Sequence, residues 1–331
     1  MTNSPPIVAL PVPVPGGVPS DPDALNASTA STASSASTAP TVLALQPRPA
    51  TFEQLAKLPD ECIDVPTGAA LIARDAYGTL DVKRLIARLD DLAAPLEGRD
   101  FASLPLDAQA DAVTAHVFGT LGFRGNEQDY YDPKNSLLPD VLDRKLGIPI
   151  TLALVYCAVA RRLGVRARGV SFPGHFLVRV DGPADADAAD PSSMPVIVDP
   201  FFGGRRLDEA GLKKLLERGA STKSQALSIP EHLAAAMPRA MLVRMLINLK
   251  WIYATRGDFA RALLALDRII SLQPDSVPAL RERGMLAAKL GSVEGARADL
   301  ARLLELVPQV PDAKSIRERL DELRAKQSVL N

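Results

Sequence analysis

Cysteine is scarce in this chain. Cys62 and Cys157 are the only two in 331 residues, too few for a disulfide framework or a structural zinc site. Histidine is almost as rare: His116, His175 and His232 show no HxxxH-type spacing, so no metal ligand set is readable and no metal is expected. Net charge is nearly absent, with 38 Lys/Arg against 39 Asp/Glu. That excludes global recruitment to nucleic acid or to an anionic membrane. No apolar run approaches the roughly 18 residues that a bilayer span requires. A GxxxxGK phosphate loop is also missing, and no cofactor is expected.

Charge is thinnest at the N-terminus, where residues 1–45 carry only Asp21 and Asp23. Pro5, Pro6, Pro11, Pro13 and Pro15 break up the apolar residues there, unlike the compact apolar core of a secretory signal. Residues 1–50 read as a disordered low-complexity tail unable to bury enough surface to fold. With few cysteines and no export signal, a cytoplasmic location is expected.

What is present is ordinary globular material: 47% hydrophobic and 23% charged residues, in a length that admits two domains. Folding is expected from Thr51, where Gln54 follows three residues later in a capping-box pattern. Helices are predicted over Thr67–Tyr77, over Asp81–Ala93 and over Pro105–Leu121. The second carries Val82, Leu85, Ile86, Leu89 and Leu92 on one stripe. His116 falls on the apolar face of the third and reads as a structural histidine. A loop over Gly122–Pro133 and a short helix over Asn135–Leu146 follow, the helix capped by Asn135 or Ser136.

The stretch from Asn135 to Gly204 organises the rest. Pro149–Leu163 is apolar on most sides, as in a buried helix, with Pro149 suited to the first turn and Gly164 to the stop. Apolar-rich runs at Val165–Phe172, His175–Val180 and Val196–Val198 read as strands, with His175 and Asp199 at strand positions. Gly203–Gly204 is read as the end of the strand region, before a helix over Leu207–Leu216.

The last ninety residues repeat. Gly257 and Gly291, Ala262 and Ala296, Leu266 and Leu300, and Pro274 and Pro308 are each 34 residues apart, the tetratricopeptide period. Lys314–Lys326 would cap the array. Two repeats are too few for independent stability, so the array is expected to pack on the domain before it. It carries 15 Lys/Arg against 11 Asp/Glu over 241–331, a hint of an acidic peptide partner.

Several ordered motifs carry a resemblance: Gly125-Asn126, Asp129-Tyr130-Tyr131-Asp132-Pro133, Asn135-Ser136, Gly147-Ile148-Pro149-Ile150, Pro173-Gly174-His175-Phe176, and Asp199-Pro200 with Gly203-Gly204. Together they resemble the SirB-one family, a branch of the transglutaminase-like superfamily often followed by tetratricopeptide repeats. The resemblance implies an α+β fold: a papain/transglutaminase-like core of helices and a small antiparallel sheet, then an all-α tetratricopeptide-like module. The expected boundaries are 51–235 for the first and 236–331 for the second.

In active members of that superfamily, a Cys at the start of the central helix pairs with a strand His that an Asp orients. Carried over, His175 and Asp199 match the His and the Asp. Ala153 and Leu163–Gly164 then align the nucleophile position with Pro149, which has no nucleophilic atom. Thr151 lies about 200° round the helix from it, and Cys157 about 12 Å further along the axis. The reading is therefore a nucleophile-less protein that binds a protein or peptide partner through the cleft, the repeats or both, with His175, Asp199, Asn135, Tyr130 and Tyr131 as binding residues. The alternatives are a hydrolase or acyltransferase using Cys157 or Thr151 with His175 and Asp199, and a scaffold acting through the repeats alone.

Overall fold

In the computed structural model the described residues are 48–101, 103–183, 194–219 and 228–330. The tail expected over 1–50 lies outside them except for its last three residues, as does most of the 182–195 connection. The fold is α+β: helices around a small antiparallel sheet, followed by a helical tetratricopeptide region.

The first helices start where side chains can satisfy free N–H groups. In α1 (Phe52–Ala56) the Thr51 hydroxyl accepts from the Gln54 backbone N–H at 3.2 Å, and Gln54 Oε1 accepts from the Thr51 N–H. α2 (Val65–Ala76) begins two residues before the expected Thr67, because the Asp64 carboxylate accepts from Thr67 N and Pro66 sits in the first turn. α3 (Val82–Ala93) is capped by Asp81 and buries Leu85, Ile86 and Leu89, as its stripe predicts. α4 (Leu106–Thr114) runs into a π-helical turn at Ala115–Thr120, where His116 is buried against the Leu92 carbonyl at 2.7 Å. His116 is structural.

The helix expected over Asn135–Leu146 is instead a 3₁₀ turn, Pro133–Asn135, and a separate α5 (Leu138–Arg144) that neither Asn135 nor Ser136 caps. Pro139 is the reason: it has no N–H to offer the carbonyl four residues back, which is that of Asn135. Lys145 closes α5 in the left-handed region, at φ 58°. β1 (Arg124–Gly125) and β2 (Leu146–Gly147) then pair in parallel, a ribbon the sequence reading missed.

α6 (Pro149–Arg162) is the central helix, buried over most of its length. It underlies an antiparallel sheet in the order β3 (Ala167–Val170), β4 (Leu177–Val180), β5 (Val196–Asp199) and β6 (Arg205–Leu207). Val178, Val180 and Val198 face the core shared with α6, while Leu177 and Ile197 face Leu212 of α7 (Glu209–Gly219). β6 is a correction: Gly203 and Gly204, both at positive φ, turn the chain back rather than ending the sheet. A short α8 (Ile229–His232) follows.

Four helices form two tetratricopeptide hairpins, α9 (Pro238–Thr255) with α10 (Phe259–Leu272) and α11 (Val277–Lys289) with α12 (Val293–Leu306), and α13 (Ala313–Leu330) packs last. Gly257 and Gly291 take φ 76° and 85° in the two turns, and Ala262 and Ala296 are fully buried at the crossings. The array is not separate from the α+β part. α9 packs on α2 and α1 on α10, so that residues of α2, α6, α9 and α10 share one continuous core. Gly68 of α2 lies so close to Leu242 of α9 that a Cβ would come within 2.4 Å of Leu242 Cδ1.

Polar groups fix the same joint. The Arg239 guanidinium donates to the carbonyls of Ala56, Leu58 and Leu272, and its backbone N–H to Asp60. Arg268 forms a two-pronged bond with Asp75 at 2.8 Å and also pairs with Glu53. Arg239→Ala is expected to lower unfolding stability by roughly 2–4 kcal/mol, because it strands several carbonyls at a packed joint. Arg239→Lys should recover little, since an ammonium lacks the planar fork. Urea denaturation of the three proteins at one pH checks both.

Candidate functional site

No thiol stands at the start of α6. Pro149 occupies its first turn, and the nearest hydroxyl, that of Thr151, is fully buried. Thr151 Oγ1 donates to the Asn135 carbonyl at 2.7 Å and accepts from the Ile148 N–H at 3.1 Å. The hydroxyl takes the helix's free N–H on one side and the carbonyl freed by Pro139 on the other, so it is committed to the fold.

Asn135 is equally committed. Its Nδ2 donates to the carbonyls of Asp129 at 2.7 Å and Tyr130 at 3.2 Å, and its Oδ1 accepts from Asn126 Nδ2 at 3.0 Å. It is fully buried and holds the 126–131 loop from behind. A cleft-lining role for Asn135, expected from sequence, is not what its geometry provides.

His175 and Asp199 do meet, with Nε2 to Oδ1 at 2.9 Å. His175 is not on a strand. It lies in the turn after Phe172, its N–H bonded to the Phe172 carbonyl at 2.9 Å, with Gly174 at φ 68° making the turn just before β4. Asp199 ends β5 opposite Arg205 of β6, and its carboxylate is fully buried. Oδ1 also accepts from Phe201 N at 3.2 Å, while Oδ2 accepts from Arg205 Nε and Nη2 at 3.3 and 3.0 Å. Burial by itself raises this carboxyl, but hydrogen bonds and charge from His175 and Arg205 outweigh it and hold the pKa below the ordinary value. Arg205 was not singled out in the sequence. The signal available was a Gly-Gly pair between Asp199 and Arg205, the mark of a hairpin.

Rings connect this pair to the loop and to the repeats. His175 stands 6.4 Å from Phe202, Phe202 is 5.2 Å from Phe201, and Phe201 is 5.7 Å from Tyr130. Tyr130 then contacts Tyr131 at 5.2 Å, and Tyr131 meets Trp251 of α9 at 4.8 Å. Burial raises both tyrosine pKa values, opposed at Tyr130 by the charge of Arg244, so both phenols are neutral. Arg244, also on α9, donates to Ser171 Oγ at 2.7 Å and to the His175 carbonyl at 3.2 Å. The first repeat helix thus holds the histidine turn directly, which no local motif signals.

Cys157 lies about two turns further along α6 than Pro149. It is half-buried on α6, and burial pushes its thiol up to about 12, which leaves almost no thiolate at neutral pH. Among the described residues no group of three or more His, Cys, Asp or Glu is placed to hold a metal ion, and no helix is long and apolar enough to cross a membrane.

Comparison with known proteins agrees with this architecture. Residues 83–247 match the transglutaminase-like superfamily and residues 249–321 the tetratricopeptide repeat. A UPF0162 protein of Xylella fastidiosa is 39% identical over 277 residues, covering 82% of this chain and 94% of the relative. A UPF0162 protein of Pseudomonas aeruginosa is 30% identical over 280 residues, covering 84% and 97%. F-box only protein 21 of the mouse is 32% identical over 189 residues, 55% of this chain but 28% of that protein. No solved structure matches.

Two outcomes are expected from these groups. Asp199 has a folded pKa below the unfolded value of about 3.9; its stabilisation is therefore complete above that value and is lost as pH falls through the depressed folded pKa. Asp199→Asn should lower stability at pH 7 by roughly 2–4 kcal/mol and narrow its gap to the parent protein on acidification, as denaturation curves between neutral and strongly acidic pH would show. Cys157 should resist iodoacetamide in the native protein and react once the chain is unfolded, as peptide mass mapping would show.

Proposed function

The chain belongs to the UPF0162 family and joins a transglutaminase-like domain to tetratricopeptide repeats; from that premise we propose that its cleft binds a protein or peptide partner without covalent chemistry. The observation that carries this reading is the start of α6, where Pro149 stands at the aligned nucleophile position and the Thr151 hydroxyl is bonded on both sides within the fold. Acyl transfer by this superfamily's route needs an ionisable sulfur or hydroxyl beside the histidine. Cys157, held as a neutral thiol, does not meet that need.

The polar machinery suits recognition. Asp199 fixes the His175 ring through Nε2, so the imidazole is presented in one orientation. Beside it lie partly exposed aromatic rings, which give large contact area at small entropic loss. The adjoining repeats belong to a class of architecture that forms extended binding surfaces, which supports a protein or peptide as the partner; a regulatory role is part of the proposal. A cytoplasmic setting, with both thiols free, is part of the proposal.

The test is an acyl-transfer assay on the full chain with a blocked glutaminyl dipeptide and hydroxylamine. Hydroxamate formation should not rise above the buffer rate, and His175→Ala should leave it unchanged. Turnover that disappears in His175→Ala would overturn the reading and restore the enzyme alternative.

A further inference from the structure

Aromatic residues make up only 5% of this chain, yet five of them stand in one unbroken series. Phe202, Phe201, Tyr130, Tyr131 and Trp251 pass ring to ring from the β5–β6 hairpin to α9, with His175 at the far end. All five but Phe201 are partly exposed. Tyr130 and Phe202 pack against the core from its edge, and the part of the row that stays open to solvent, at the junction of two parts of the protein, is available as contact surface.

The second repeat holds a counterpart of Trp251. Met285 stands one 34-residue period later, at the equivalent position of the second repeat, and is 49% exposed. Lys250, beside Trp251, pairs with Glu282 of α11, one turn before Met285, which sets that face of α11 alongside α9. Methionine there adds a soft, adaptable apolar contact.

Three guanidinium groups accompany the row. Arg205 lies 4.6 Å over the Phe202 ring with its side chain 44% exposed, the charge of Arg244 reaches Tyr130, and Arg256 donates to the Tyr131 carbonyl at 3.1 Å. The acid bonded to Arg205, Asp199, is fully buried and offsets part of that guanidinium's charge, so the exposed Arg256 carries the larger share toward an incoming ligand. Glu127 and Asp129 are exposed next to Tyr130, so selectivity for charge rests on the arginines. Residues 241–331, which include Arg244 and Arg256, carry 15 Lys/Arg against 11 Asp/Glu.

We infer that His175, the aromatic row and Met285 form one continuous surface for an extended acidic peptide, with apolar side chains laid on the rings and carboxylates directed to the arginines. A strand of about twelve residues spans about 40 Å and would engage both the cleft and the first two repeats. This inference rests on the cleft being a binding site and goes further, naming the ligand's charge and its path.

The experiment follows the emission of Trp251, the only tryptophan, in the full chain. The probes are three synthetic peptides of about twelve residues, spanning about 40 Å, in which Leu and Phe alternate with Glu, with Lys or with Ser. The Glu peptide should give a saturable spectral shift, and the Lys peptide should bind at least about ten-fold more weakly, a difference of about 1.4 kcal/mol. Met285→Asp and His175→Ala should each weaken the Glu peptide by about ten-fold or more. Met285→Ser serves as a milder second variant, and far-ultraviolet circular dichroism verifies folding. Loss in His175→Ala but not in either Met285 variant overturns the continuous surface while leaving the cleft a binding site. Loss in the Met285 variants alone overturns both readings. Equal binding of the Lys peptide, or no saturable response to any peptide, overturns the inference.

Discussion

The buried carboxylate of Asp199 is the constraint around which the α+β part is arranged. A carboxylate taken out of water is tolerated only when its lone pairs are satisfied and its charge is opposed. Here the partners come from three places: the His175 turn before β4, the Phe201 backbone just past β5, and Arg205 across the hairpin. The β5–β6 register, the positive-φ glycines and the 172–175 turn all have to form for that charge to be stable. A site kept for catalysis and a site kept for recognition would look alike at this level, because both need the imidazole held in one orientation.

The helix facing the sheet adds a second constraint. α6 begins with a proline, and its one nearby hydroxyl bridges Ile148 to the Asn135 carbonyl. That bridge joins the helix start to the loop bearing Tyr130 and Tyr131, whose backbone is held in turn by Asn135 and Asn126. These side chains together hold the loop in place. The same loop touches Trp251, so the order imposed at α6 is transmitted to the first repeat.

Two tetratricopeptide repeats cannot bury enough surface to stand alone, and this chain meets that limit by fusing them to the domain before them. The joint combines close backbone approach at Gly68 with the forked bonds of Arg239 and Arg268. α9 consequently serves two roles, as the first helix of the array and as a wall of the histidine site through Arg244. The transglutaminase-like match extends to residue 247, within α9, consistent with that sharing.

The sequence by itself determined the elements and the kinds of chemistry available. The capping pattern at Thr51, the apolar stripe of α3, the buried character of α6 and the 34-residue period are local or periodic signals, and each produced the element it implies. Only the tertiary structure decided where polar groups found their partners. Asn135 turned inward because Pro139 leaves its carbonyl free; Gly203–Gly204 made a hairpin because Arg205 had Asp199 to meet; Trp251 joined the tyrosines because α9 docks on the core. Each of these depends on groups brought together from distant elements, or on which of several permitted turns best satisfies a buried charge, and neither is encoded in a run of neighbouring residues.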